Sequence, residues 1–168
     1  MNNIDIKAPL NIVRDFFLKP DIVLRLNPSW YVKEIKVTDK ALYEITLYDD
    51  RTNETSLIFL NVEVWEKSIS YKINSSRIEF LMDEINPAVI RLSISGDFFK
   101  VEDLPYWLKG LKNYIQLEAR QSKIIKALLD RLWLRMMPSH RRITIIIIFA
   151  EIISLIVLIA FIISLKII

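Results

Sequence analysis

The chain has 168 residues and contains no cysteine, one histidine and two glycines. Without cysteine there is no disulfide framework, no thiolate nucleophile and no thiolate metal site. The one imidazole is His140, beside the apolar C-terminal stretch, which removes Ser-His-Asp and Cys-His catalysis and multi-histidine metal sites from the N-terminal part. With only Gly96 and Gly110, no glycine-rich loop can cradle a phosphate. The opening MNNIDIKAPLNIV lacks a basic region followed by a long apolar run. No cleaved signal peptide is expected, and the N-terminal part is expected to stay in the cytosol. Nothing in this inventory calls for a cofactor.

What is present is unevenly placed. The chain is 52% hydrophobic with a formal net charge of +3, and both the apolar excess and the basic residues gather toward the C-terminus. The basic residues do not interleave with an aromatic platform, so no nucleic-acid partner is expected.

NIDIKAP reads as a first strand, with Ile4 and Ile6 alternating with polar residues and Pro9 stopping it. PLNIVRDFFLKPDIVLRLNP places Leu10, Val13, Phe16 and Phe17 at helical spacing, breaks at Pro20 and resumes with Ile22, Val23 and Leu26, which predicts two short helices in a V. From residue 32 to about residue 99 the period becomes two. YVKEIKV, ALYEITLY, SLIFLNVEVW, SISYKI, RIEFLMDEI and AVIRLSISGDFF read as six strands joined by short links, hence an antiparallel meander. Ile45, Leu47, Ile58, Leu60, Ile73 and Ile94 fall on one face, and Glu44, Glu63, Lys72, Glu79 and Arg91 on the other. A sheet wet on one side needs a cover on its dry side. EDLPYWLKGLKNYIQLEARQSKIIKALLDRLWLRMM supplies one, with Leu104, Trp107, Leu108, Leu111, Ile115, Ile125, Leu128, Leu129, Leu132 and Met136 at three- and four-residue steps. This spacing predicts one amphipathic helix of about 30 residues and ~45 Å, ended by Pro138. Its first half is expected to cover the sheet. Its second half, with Arg120, Lys123, Lys126, Arg131 and Arg135, is expected to project as a stalk toward a membrane.

Residues 143–165 carry a single charge, Glu151, in an otherwise largely apolar run and span ~35 Å as a helix, enough to cross a hydrocarbon core of about 30 Å. This stretch is expected to be a transmembrane tail anchor. Arg131, Trp133, Arg135, Arg141 and Arg142 precede it as a membrane-interface collar, in which arginines meet anionic headgroups and an indole sits at the boundary. Lys166 is the one charge near the far end, so the arginine excess orients the N-terminal domain to the cytoplasm and the C-terminus outside. Glu151 lies about 12 Å into the span, where a charge costs at least ~2.5 kcal/mol. Thr144 and Ser154 fall near its side of the helix, and Ala150 with Ser154 makes a small-xxx-small step. Two readings stay open: contact with a second membrane helix, either another copy or a membrane protein partner, or a glutamate held neutral.

The chain therefore divides into a domain over residues 1–118, a basic amphipathic helical stalk and juxtamembrane collar over 119–142, and a transmembrane helix over 143–165. The order of strand, two short helices, six-strand meander and long helix, with IKAPLNIVRDFFLKPDIVLRLNPSWYVKEIKV as its opening, resembles the START/Bet v 1-like helix-grip superfamily (SRPBCC, polyketide cyclase-like). The resemblance covers about residues 1–118. It implies an α+β fold in which a seven-stranded antiparallel curved sheet, with two short helices, grips a long C-terminal helix around an apolar cavity, followed here by one transmembrane helix. Tyr43, Ile45, Leu60, Tyr71, Phe80, Met82, Leu92, Trp107, Leu108 and Leu111 are the candidate lining, and the same residues serve equally as plain core. Residues 104–117 would form one wall and residues 20–30 a gate.

The function expected is a non-enzymatic, membrane-tethered module that binds or transfers an apolar ligand such as a lipid, quinone or isoprenoid on the cytosolic face, with membrane lipids as its surroundings. One alternative is a membrane recruiter or accessory subunit docking a partner protein. A second is a polyketide cyclase- or dehydratase-like enzyme. Against an enzyme stand the acidic residues, which fall on the wet face or in turns, and Asp83 with Glu84, which as neighbours in a strand point to opposite faces. No catalytic residue and no metal ligand is expected.

Overall fold

A computed structural model describes residues 2–98, 101–119 and 123–167. The alternating segments form β1 (Asn2–Ile6), β2 (Trp30–Asp39), β3 (Leu42–Asp49), β4 (Glu54–Val64), β5 (Ser68–Ile73), β6 (Ser76–Asn86) and β7 (Val89–Gly96). They pair antiparallel in one sheet of order β1-β7-β6-β5-β4-β3-β2. The meander is therefore β2 to β7 in sequence order, with β1 added at the β7 edge. Tight links make this possible. Asn53 and Asn74 take positive φ angles of 57° and 53° in the β3–β4 and β5–β6 turns, a conformation asparagine tolerates better than most residues. Gly96, at φ 143°, ends β7 where an added Cβ would collide with the Arg77 carbonyl, so only glycine fits.

Between β1 and β2 lie α1 (Leu10–Phe17) and α2 (Pro20–Arg25), the expected V, with Pro20 as the first residue of the second helix. After β7, a short helical turn at Val101–Asp103 leads into α3 (Leu104–Ala119). An ion pair between Arg51, in the β3–β4 turn, and buried Asp103 fixes the start of α3 on the sheet. Leu104, Trp107, Leu108, Leu111, Tyr114 and Ile115 are the buried stripe of α3. They meet the dry face of the sheet and Val13, Phe16, Phe17, Val23 and Leu24 of α1 and α2 in one core. At Gly110 the Leu26 carbonyl comes so near that a Cβ would sit 3.3 Å from it, which lets α3 and the end of α2 approach closely.

Beyond α3 the chain departs from the expected straight helix. α4 (Lys123–Arg131) follows, then a short helical turn at Trp133–Arg135. The Tyr114 hydroxyl donates to the Asp130 carboxylate at 2.6 Å, whereas on one unbroken helix these residues would be about 24 Å apart. Lys126 likewise donates to Glu118 at 2.8 Å, and Lys19 of the α1–α2 link reaches the same carboxylate at 3.0 Å. α4 thus folds back along the domain instead of projecting. Folding back buries Leu134 and partners the Tyr114 hydroxyl, all of which a projecting stalk would leave in water. The side chains of Arg120, Lys123 and Ile125, assigned to that stalk, lie outside the described residues, as does that of Lys166. Pro138 does not end the long helix. It is the first residue of α5 (Pro138–Ile167), a position where its missing N–H costs nothing. Within Pro138–Ala160 of α5 an 18-residue window has a mean hydropathy of 3.0 and no buried residue, so this helix is long and apolar enough to cross a membrane.

Candidate functional site

The ten residues proposed to line an interior cavity lie between the sheet and α3. Ile45, Leu60, Tyr71, Phe80, Met82, Leu92, Trp107, Leu108 and Leu111 are buried, and Tyr43 is half-buried. The Phe80 ring centres the group, with centroids 4.5 Å from Phe17, 5.0 Å from Tyr71 and 5.9 Å from Trp107. Trp30 sits edge-on to Trp107 at 5.3 Å. These edge and tilted contacts are attractive ring geometries, and they make the gripped space an aromatic core. Two buried polar groups tie it to the helices before β2: the Tyr71 hydroxyl donates to the Phe17 carbonyl at 2.5 Å, and the Trp107 indole to the Val23 carbonyl at 3.0 Å. Burial, with a smaller contribution from Tyr43, pushes the Tyr71 hydroxyl well above its ordinary pKa, so it stays a neutral donor. The segment 20–30 expected to act as a gate is therefore held by the buried bond to Val23, and the end of α1 just before it by the buried bond to Phe17.

Among the described residues, three grooves lie around the short turn Trp133–Arg135. One groove of about 330 Å³ is lined by Asp21, Ile22, Arg25, Ile35, Asp130, Leu134 and Arg135. It is polar, and the Asp21–Arg25 ion pair at 2.7 Å lies on its wall. A second, of about 240 Å³, runs among Leu26, Pro28, Gly110, Trp133, Leu134, Pro138, Arg141, Arg142 and Ile145. A third, of about 210 Å³, is formed by Leu128, Leu129, Leu132, Trp133, Met136, Thr144 and Ile148, and presents only apolar atoms. Leu134 is common to the first two and Trp133 to the last two. Polarity thus falls in steps from the α2 side to the α5 side.

The five residues read as a membrane-interface collar divide. Arg131 and Arg135 are exposed, Trp133 is half-buried, and Arg142 is exposed while pairing with Asp50 at 3.2 Å. Arg141 departs from the expectation: it is 8% exposed, and its guanidinium donates to the carbonyls of Met136 at 3.0 Å, Arg25 at 3.0 Å and Leu134 at 3.1 Å. Arg25 is the last residue of α2, and a helix end leaves carbonyls without intrahelical partners and a partial negative charge. The planar fork of an arginine satisfies several such acceptors at once, which explains why this side chain turns inward. Arg141 clamps the first turn of α5 to the end of α2. Glu151 and Ser154, three residues apart on α5, both lie on its exposed surface.

Sequence reasoning missed the inward partners Arg25, Asp50, Tyr114, Glu118 and Asp130. One of them carried a signal: Asp130 is the single acid within residues 119–142.

A seven-stranded antiparallel sheet covered by α3, with α1 and α2 inserted after the first strand, is the expected helix-grip α+β fold. Solved structures share it. The di-domain ARO/CYC StfQ from the steffimycin biosynthetic pathway matches with a TM-score of 0.53 and 10% identity over 72% of this chain. The chain spans 46% of that di-domain protein. A hypothetical protein from Sulfolobus tokodaii matches with a TM-score of 0.52 and 14% identity, over 76% of this chain and 99% of that one. At such identities the likeness is one of fold. No family model and no curated protein sequence matches the chain.

Proposed function

We propose that the protein is a single-pass membrane module that binds a ligand of the lipid class, such as a lipid, quinone or isoprenoid, at the bilayer surface. The observation that carries this reading is the groove formed by α4 and α5, which has only apolar lining and includes Thr144 and Ile148 from the first turns of the apolar helix. An apolar tail fits that groove. The more polar grooves beyond Trp133 and Leu134, with Arg25, Arg135 and Arg142, suit a polar end. The clamp at Arg141 supports the same reading, because it holds the grooves directly beside the helix that would enter the bilayer. Exposed Arg131, Arg135 and Arg142 near the start of that helix favour a cytoplasmic domain with the C-terminus outside. The helix-grip fold also suits cyclase chemistry, since one protein that shares it is an ARO/CYC. Binding without chemistry is preferred because the gripped interior here is packed with aromatic rings. A recruiter role, docking a second membrane helix, is favoured by one feature, the Glu151–Ser154 side of α5.

Native mass spectrometry of the full chain released from membranes in mild detergent tests the binding reading, with Met136→Glu as the comparison. A lipid-class molecule retained by the unchanged chain and lost from the variant is the expected outcome. A chain that carries nothing, or a molecule held equally by both, overturns it.

A further inference from the structure

α4 is amphipathic in the reverse sense to a helix on a soluble protein. Lys126 and Asp130, one turn apart, face the domain, where they bond Glu118 at 2.8 Å and Tyr114 at 2.6 Å. Leu128 and Leu132, also one turn apart, lie about 200° around the helix from them and are 61% and 54% exposed. A surface helix normally buries its apolar stripe and wets its polar one. Here the polar side is consumed by the protein and the leucines look outward.

Three observations say what covers them. Leu128 and Leu132 line one groove with Thr144 and Ile148, so α4 lies level with the first turns of the helix able to cross a membrane. The charges beside the leucines that remain exposed, Arg131 and Arg135, are both basic. The acid on this segment, Asp130, is turned away toward Tyr114. Outward leucines flanked by arginines, beside an entering membrane helix, match a helix lying in the plane of an interface rich in anionic headgroups.

We infer that α4 and the short turn that follows it are embedded in the leaflet that α5 enters, with Leu128 and Leu132 at the boundary between headgroups and acyl chains and Arg131 and Arg135 on lipid phosphates. The inference rests on α5 crossing the bilayer, and it stands whether or not the groove that the same two leucines line also holds a ligand. It makes the protein a two-point membrane binder, spanning through α5 and lying flat through α4.

The absence of native cysteine makes the test direct. Single Leu128→Cys, Leu132→Cys, Ile153→Cys and Leu57→Cys variants of the full chain, each carrying a nitroxide, are placed in nanodiscs containing anionic phospholipid. Their accessibility to molecular oxygen, which concentrates in lipid, is compared with that to a water-soluble nickel chelate. Leu57 is 52% exposed on the sheet and serves as the aqueous reference, while Ile153 reports the interior of α5. The expected result is an oxygen-to-nickel ratio at 128 and 132 shifted well above that at 57 and toward that at 153. Ratios at 128 and 132 equal to that at 57, with 153 in lipid, overturn the embedding of α4 alone. Low accessibility to both reagents at 128 and 132 shows a protein covering them and also overturns it. An aqueous signal at 153 overturns the crossing of α5 and the embedding together.

Discussion

Replacing Arg141 by alanine removes the three hydrogen bonds that join the start of α5 to the Arg25, Leu134 and Met136 carbonyls. Each such bond is worth about 1 to 1.5 kcal/mol net, so the clamp contributes about 3 to 4 kcal/mol after the desolvation of the guanidinium is set against it. At 1.4 kcal/mol per factor of ten, the ratio of docked to undocked α5 should fall by about 100- to 1000-fold. The sheet is untouched, because none of the three carbonyls belongs to it. The outcome should therefore be a folded domain on a loosened helix. Arg142→Ala provides the contrast: its pair with Asp50 is exposed on the arginine side and is worth about 0 to 1 kcal/mol, too little to release the helix. Arg141→Lys should recover part of the effect, since an ammonium keeps the charge but lacks the fork. Electron–electron double resonance between nitroxides at Leu57→Cys and Phe149→Cys, both exposed, reads the docking as a distance distribution. A narrow distribution in the parent protein should broaden with Arg141→Ala and stay narrow with Arg142→Ala. If the alanine variant at 141 keeps the parent's narrow distance, the clamp is not what holds α5, and the energy assigned to it is wrong.

Other expectations concern the core, a turn and the fold-back of α4. Tyr71→Phe leaves the Phe17 carbonyl buried without its donor and should cost about 1 to 3 kcal/mol, whereas Phe80→Ala empties the centre of the ring cluster and should cost about 3 to 5 kcal/mol. Chemical denaturation that ranks these two in the opposite order would contradict the placement of Phe80. Gly96→Ala, forced to φ 143° against the Arg77 carbonyl, should lower stability by about 1 to 3 kcal/mol, read as a fall in Tm. Burial alone would raise the Glu118 carboxyl, but hydrogen bonds from Lys126 and Lys19, and their charges, outweigh it and hold the group below its ordinary value. A depressed carboxyl stabilises fully above its unfolded value, near 4.3, and loses that contribution as pH falls through the lower folded value. Amide protection of α4, corrected for intrinsic exchange, should accordingly weaken below about pH 4 in the parent and show no such dependence in Glu118→Gln.

The sheet was legible because its signal is local. Tyr71 and Ile73 against Lys72, or Phe80 and Met82 against Glu79, report the two faces of a strand in three or four letters, and the turns between them are too short for anything but antiparallel neighbours. The path after α3 was not legible, for a reason equally physical. YWLKGLKNYI and KIIKALLDR each carry a helical apolar period, and ARQSK between them has neither proline nor glycine to mark a break, so periodicity cannot tell one long helix from two helices folded together. What decides between them is the Tyr114–Asp130 contact, which joins residues 16 apart in sequence. Arg141 and Arg142 show the same limit at the candidate site. Adjacent and chemically identical, they share every sequence signal of a headgroup collar, yet one is buried among carbonyls and the other faces solvent. The difference comes from the end of α2, more than 100 residues earlier, whose carbonyls need a donor.

The inward turn of Arg141 also has a mechanical meaning. A helix joined to its domain by a supple linker can lean without disturbing what it carries, but α5 begins inside the domain and shares a guanidinium with α2. The two should move as one rigid lever. Helices accommodate a thinner hydrocarbon layer by leaning further from the bilayer normal. With α5 crossing the bilayer as proposed, a thin bilayer should rotate the whole sheet with α5, so that membrane thickness becomes the angle at which the domain meets the surface. Oriented-sample spectroscopy in short- and long-chain lipids reads that angle, and equal domain orientations in the two would show that the lever bends.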